Sequence, residues 1–175
     1  MLDPSSRTLD PATIDPNGPP AAVGGPLYGQ LVVTDPGSGR VVPRMAESLS
    51  TDDGLVWTLV LREGLRFTDG TPYDAAAVKF GWSRYSDPGV ASEAGGAAAA
   101  TIAEMTEVDA RTLRIRLVEP NRQFDRLVVT TSLNHIGSPS ALQRGPEAFA
   151  QALEVDADVS LALQRRSTTS VRGGR

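Results

Sequence analysis

The chain has 175 residues, 40% of them hydrophobic and 22% charged, with 17 basic and 21 acidic side chains and a net charge of −4. That composition predicts an ordinary globular protein with one domain and a real core, and it excludes a basic footprint for nucleic acid and a polybasic membrane patch. Cysteine is absent, which removes disulfides, thiolate metal sites, a cysteine nucleophile and an acylated lipoprotein cysteine.

Residues 1–26 carry Pro4, Pro11, Pro16, Pro19, Pro20 and Pro26. Proline fixes φ and pushes the preceding residue toward extended geometry, so this stretch reads as loop, with a short strand end at Thr13 and Ile14. Residues 27–33 (LYGQLVV) are apolar and predict a helical turn at Tyr28 followed by extended chain. Asp35-Pro36-Gly37-Ser38-Gly39 is a turn signal, Val41 and Val42 resume as a second strand, and Pro43 stops it. Residues 45–49 predict one helical turn, and Asp52-Asp53-Gly54 turns the chain again. Residues 55–61 (LVWTLVL) read as a strand with Leu55, Trp57, Leu59 and Leu61 on one face. Residues 65–67 continue extended to the turn at Asp69-Gly70.

Thr71-Pro72-Tyr73-Asp74 predicts a helix start, with Thr71 as cap, Pro72 at the first helical position and Asp74 completing a capping box. Val78, Trp82 and Tyr85 then share a helical face with Ala75 beside them, while Lys79 and Arg84 point elsewhere. Asp87-Pro88-Gly89 ends that helix. Gly95 and Gly96 predict a loop, with a helix seeded from 97 to 103. A short strand at 105–108 and a tight connection at Asp109-Ala110-Arg111 lead into TLRIRLV (112–118). There Leu113, Ile115 and Leu117 alternate with Arg114 and Arg116, the pattern of an antiparallel strand with one wet face. Glu119-Pro120-Asn121 closes it, 124–129 predicts a helix on the sheet, and Ser138-Pro139 starts another turn. From Ala152 the text changes to ALEVDADVSLALQRR and a polar, Arg- and Gly-rich end, which predicts weak packing after about Gln164.

The constellations of enzyme chemistry mostly fail. His135 is the only histidine, so no histidine cluster can bind metal, and a Ser–His–Asp triad would have to use it with Ser132 or Ser138. No Gly-x-Ser-x-Gly turn is present, and a surface or helix-end histidine is the simpler reading. Asp52, Asp53 and Asp69 sit beside glycine in turn signals rather than in an acid–base pair. Gly24-Gly25 and Gly95-Gly96 do not match a phosphate-binding loop. Trp57 and Trp82 lie on apolar faces, as core residues do. No apolar run reaches the roughly 18 residues of a membrane span, and MLDPSSRTLDPATID lacks the basic start and apolar core of an export signal. Taken literally, such a chain stays in the cytoplasm.

Several pieces in order resemble one family, the extracellular solute-binding proteins of family 5 of ABC importers, which includes oligopeptide, dipeptide and nickel binders. Leu9-Asp10-Pro11-Ala12 is similar to its opening "LDP" element, and Leu27-Tyr28-Gly29-Gln30-Leu31 to its "Tyr-Glu-Gly-Leu" element. Val42-Pro43-Arg44-Met45-Ala46-Glu47-Ser48 resembles "PxLAES". Asp53-Gly54-Leu55-Val56-Trp57-Thr58-Leu59, extended by Leu61-Arg62-Glu63-Gly64-Leu65-Arg66-Phe67, resembles "DGxxYTFxLR". Thr68-Asp69-Gly70-Thr71-Pro72-Tyr73-Asp74-Ala75 resembles "hDGxPxxAxDV", and Val108-Asp109 through Leu117 and Pro120 resembles "VDxxTVxIxLxxP". The likeness runs from about Leu9 to Gln151, near Gly145-Pro146-Glu147-Ala148-Phe149, where the family continues into a "GTGPF" passage that ALEVDADVSLALQRR replaces.

The resemblance implies an α/β chain (an α+β subdomain), the N-terminal part of a two-lobed periplasmic-binding-protein-like fold with a small antiparallel sheet and flanking helices. It implies a division into 1–41 as an N-terminal piece of the first lobe, with Leu9 to Leu31 near the cleft, 42–151 as the small α/β subdomain, and 152–175 as a divergent, disordered or frameshifted tail. A truncated gene product is the corresponding expectation, with the apolar face of 27–33 left exposed for want of the rest of its lobe. The implied function is the substrate-binding component of an ABC importer for oligopeptides, periplasmic or extracellular. Its partners are a peptide or other small solute and the permease and ATPase subunits, with no nucleic acid and no membrane span. The resemblance implies no catalytic residue, no metal ligand and no cofactor, and leaves the substrate-binding residues unknown. A detached ligand-sensing or interaction domain is the alternative, and a small hydrolase is disfavoured by the single histidine and absent cysteine.

Overall fold

Alternation of apolar and polar side chains sets the centre of this fold. The computed structural model describes residues 10–13, 28–87 and 93–144. Among them run strands β1 (Val32–Thr34), β2 (Val41–Pro43), β3 (Ala46–Thr51) and β4 (Val56–Leu61), then helices α1 (Ala75–Ser83) and α2 (Glu93–Ala99). Strands β5 (Ile102–Glu107) and β6 (Thr112–Leu117) and helices α3 (Phe124–Thr130) and α4 (Pro139–Arg144) follow. Short 3₁₀ turns occupy Pro11–Thr13, Arg84–Ser86 and Ser132–Asn134.

Strands β3 to β6 form an antiparallel sheet in the order β3-β4-β6-β5. Trp57, Leu59 and Leu61 of β4 lie on the same face as Leu113, Ile115 and Leu117 of β6, all buried. The registers Trp57↔Ile115 and Leu59↔Leu113 put these side chains opposite one another. Arg114 and Arg116 on the other face are exposed, as the alternation predicts. Helix α1 covers the apolar face with Val78 and Trp82, and Tyr85 in the following turn is buried with them. Register shifts interrupt both edge pairings, at Ala46/Ser48 and at Ile102/Glu104. A separate antiparallel hairpin, β1–β2, turns where Asp35 Oδ1 accepts from the Ser38 N–H at 2.7 Å. The β3–β4 turn needs Gly54, whose φ of +81° lies in the left-handed region.

Five local expectations are corrected. Residues 46–51 are strand β3, not a helical turn, because pairing with β4 outweighs the helix preference of Ala-Glu. The helix after Pro72 begins later: Asp74 is its N-cap, its side chain accepting from the Ala77 N–H at 2.9 Å. Thr71 is not the cap, because 71–73 pairs back in extended form, with Phe67 N–H donating to Thr71 O and Tyr73 N–H to Leu65 O. Thr13 lies in a 3₁₀ turn rather than a strand, and Ile14 lies outside the described residues. Tyr28, Leu31 and Val32 are buried rather than exposed, because the hairpin and the turn at 132–134 cover them. Finally, Gly95 and Gly96 lie inside helix α2.

That last position has a steric cause. A Cβ on Gly95 would sit 2.6 Å from Tyr85 Cε1 and 2.9 Å from Ser132 Oγ, so the bare backbone of α2 is what lets it close on Tyr85. Alanine would gain about 1 kcal/mol in a helix interior, but overpacking costs about 1–3 kcal/mol. Gly95→Ala is therefore expected to lose up to about 2 kcal/mol of stability, read as a lower urea midpoint with an unchanged slope.

Candidate functional site

The side chains singled out in the sequence fall into three polar clusters. The first is built on Asp69, which follows the extended residues 65–67. Its carboxylate accepts from the hydroxyls of Thr71, Ser138 and Ser140 and from the Thr71 N–H, with Arg144 Nη2 3.6 Å away. Burial alone would raise this carboxyl, but the hydroxyls of Ser138, Ser140 and Thr71 outweigh it and hold Asp69 far below the usual carboxylate range. A carboxylate so stabilised is a poor base, and Ser138 spends its proton on it. The cluster ties the 69–71 turn to the start of α4, and that is a structural duty.

The second cluster lies at the N-terminal turn. Asp10 makes a two-pronged ion pair with Arg84, Nη1 to Oδ1 at 2.6 Å and Nη2 to Oδ2. The hydrogen bond to Asp10 raises the Arg84 guanidinium further. Tyr85, one residue on, donates its hydroxyl to Ser132 O at 2.9 Å. Asp10 stands in the "LDP" element, whereas its distant partner Arg84 carried no signal in the sequence.

The third cluster joins the entry to β1 with the turn at 132–134. Asn134 is fully buried and bonds the Val32 backbone twice, accepting from its N–H and donating to its C=O, each at 3.0 Å. Leu31 N–H donates to Asn134 O at 3.1 Å, and Gln30 pairs with His135 as an isolated bridge. His135 caps the end of the 3₁₀ turn, as a helix-end residue, with its ring edge-on to Tyr28 at 5.9 Å. Among the described residues its Nε2 is buried with no hydrogen-bond partner, and so is the Ser132 Oγ. Neither Ser132 nor Ser138 therefore forms a nucleophile–base pair with that nitrogen. Sequence reasoning missed Asn134, since nothing in the string SLNH distinguishes an amide that reaches 102 positions back.

The remaining candidates resolve simply. Asp53 organises the β3–β4 turn, accepting from the Val56 and Leu55 N–H groups, which lower its carboxyl. Asp52 is exposed, and its carbonyl accepts from Arg122. Trp57 and Trp82 are buried, their indole N–H groups given to Asn121 O and Leu133 O at 3.1 and 2.8 Å. Gly24 and Gly25 lie outside the described residues. A shallow depression of about 370 Å³ opens between β1–β2 and α3, lined by Thr34, Val41, Arg126, Leu127 and Thr130 among others. No carboxylate or imidazole lines it, so it offers no acid–base pair. Among the described residues no group of three or more His, Asp or Glu side chains is placed to hold a metal ion, and no helix is long and apolar enough to cross a membrane.

Asn134→Ala would leave both the N–H and the C=O of Val32 buried and unsatisfied at that junction. A buried unmet polar group costs about 1–3 kcal/mol. The variant is expected to lose about 2–4 kcal/mol by chemical denaturation, more than Asp53→Ala, whose partners sit at an exposed turn.

The family model of the bacterial extracellular solute-binding proteins, family 5 Middle, matches residues 40–157. The periplasmic oligopeptide-binding protein OppA of Salmonella typhimurium is 28% identical over 165 residues, covering 85% of this chain and 30% of its own length. The glutathione-binding protein GsiB of Shigella boydii is 38% identical over 101 residues, covering 57% of this chain and 19% of its own. The solved structure of the Escherichia coli murein tripeptide binding protein MppA superposes with a TM-score of 0.70 at 29% identity, covering 79% of this chain and 30% of that one. The chain thus spans less than a third of the length of each of these relatives.

Proposed function

This chain belongs to the bacterial extracellular solute-binding proteins, family 5, and we propose that it is part of the substrate-binding component of an ABC importer for oligopeptides. The observation that carries the reading is the family match over residues 40–157, a span that includes the four-stranded sheet. The relatives' names support the substrate class: oligopeptides, glutathione and a murein tripeptide are all short peptides or peptide-like solutes. The action is binding rather than catalysis. A two-lobed binding protein shifts toward its closed form because ligand prefers that form, and the closed form is what a permease and its ATPase subunits would recognise.

Within such a clamp, residues 42–151 serve as the small α/β subdomain, 1–41 as a piece of the first lobe and 152–175 as a divergent tail. The subdomain's part is to hold its shape. Its Asp69 and Asn134 clusters fasten loop to helix and chain entry to turn, and neither presents an open polar cradle to a solute. The working compartment in this reading is the periplasm or the outer cell surface.

The test is a graft. Residues 40–144 replace the matching stretch of the Salmonella OppA, and peptide binding is followed by calorimetry. Expected is a folded chimera whose affinity for tri- to pentapeptides stays within about tenfold, or 1.4 kcal/mol, of the parent. A chimera that folds but no longer binds peptide overturns the scaffold reading.

A further inference from the structure

Two stretches separated by about a hundred positions run side by side where the chain enters and leaves the sheet. Gln30 bridges His135, Leu31 N–H donates to Asn134 O, and Asn134 holds Val32 from both sides. The four-stranded sheet lies between them in sequence. His135 sits at the edge of this crossing, against Tyr28, with a buried ring nitrogen that no group among the described residues accepts from or donates to.

We propose that this paired crossing is an acid-sensitive lock, in which protonation of the His135 ring releases the 28–34 segment from the 132–136 turn while the four-stranded sheet stays folded. A neutral imidazole can leave one nitrogen bare as an acceptor, at modest cost. An imidazolium must place an N–H at both nitrogens and needs a carboxylate or carbonyl for each.

The described residues around the ring provide no such compensation at Nε2. From the N-terminal turn, Asp10 is taken by Arg84 of the turn after α1. Tyr28 is kept protonated by burial, then by the charge of Asp10 and by Tyr85, and Tyr85 is kept protonated chiefly by burial. On α3, Asp125 accepts from the Arg126 N–H and Arg126 itself is exposed. Burial therefore pushes the His135 imidazole down from 6.5 to about 4.

The sign follows from that direction. The closed crossing holds His135 neutral and the released one lets it take a proton in the ordinary range. Closure is fully favoured above pH 6.5 and is progressively lost as pH falls from 6.5 toward 4. At pH 5 the opening equilibrium rises ~20-fold over its value at pH 7. The β3–β4, β4–β6 and β5–β6 ladders contain no histidine, His135 being the only one in the chain, so they do not share this limb.

The experiment is amide hydrogen exchange on the 175-residue chain between pH 7 and pH 5, corrected for the intrinsic pH dependence of exchange. The Leu31 and Val32 amides are expected to lose protection ~20-fold while those of β4 and β6 hold theirs. His135→Gln and His135→Phe are expected to flatten the loss at Leu31 and Val32. A loss that persists in a folded His135→Gln protein overturns the proposal, as does unchanged protection in the parent chain. Should His135→Phe fail to fold, NMR titration of the His135 ring in the parent decides: an ordinary midpoint near 6.5 overturns the lock, and a midpoint well below it supports it.

Discussion

The ring of Phe124 is the piece on which the other elements close. It opens α3, is fully buried, and lies between Trp57 of β4 at 5.7 Å and Trp82 of α1 at 6.1 Å, the latter nearly perpendicular. Aromatic pairs at such separations add about 0.5–1.5 kcal/mol beyond the area they bury. More important here is what the two indoles do with their N–H groups. Trp57 reaches Asn121 O just before α3, and Trp82 reaches Leu133 O just after it. The sheet and the covering helix therefore each hold one end of the segment that carries the chain out of the sheet. The Asn134 junction is built on a backbone already placed by these contacts.

This arrangement explains why polar side chains that look chemical in sequence act as fasteners. Asp10, Asp69 and Asn134 are each matched by donors or acceptors from far along the chain. Their geometry is closed on itself, with donors satisfied by acceptors inside the fold. Side chains spent in this way make the fold rigid and leave no exposed reactive group at these three positions.

Much of the sheet was legible in the sequence. TLRIRLV and LVWTLVL declare strands because a two-residue period with β-branched and aromatic residues has one natural interpretation. AESLST did not, since alanine and glutamate favour helix and only the pairing with β4 makes the segment extended. Gly95 and Gly96 were misleading for a related reason: their helix depends on a close approach to Tyr85 that is invisible locally. At the sites, the turn role of Asp53 and the core role of the tryptophans were readable from neighbours in sequence. The Asp10–Arg84 pair and the Asn134 bridge were not, because each partner lies tens of residues away and neither pattern repeats.

The register shifts in β3 and β5 carry a consequence for how copies of this protein meet. A regular outer strand offers a row of unpaired N–H and C=O groups onto which a neighbour's strand can add, the route to fibrils and runaway stacking. Here each outer strand is kinked where its pairing slips, at Ala46/Ser48 and Ile102/Glu104, and the second also carries the exposed Glu104. An added strand would find its ladder broken partway along and a charge in its path. The small sheet thereby resists extension at both margins, so that copies of this chain at high concentration find no regular outer strand on which to add their own.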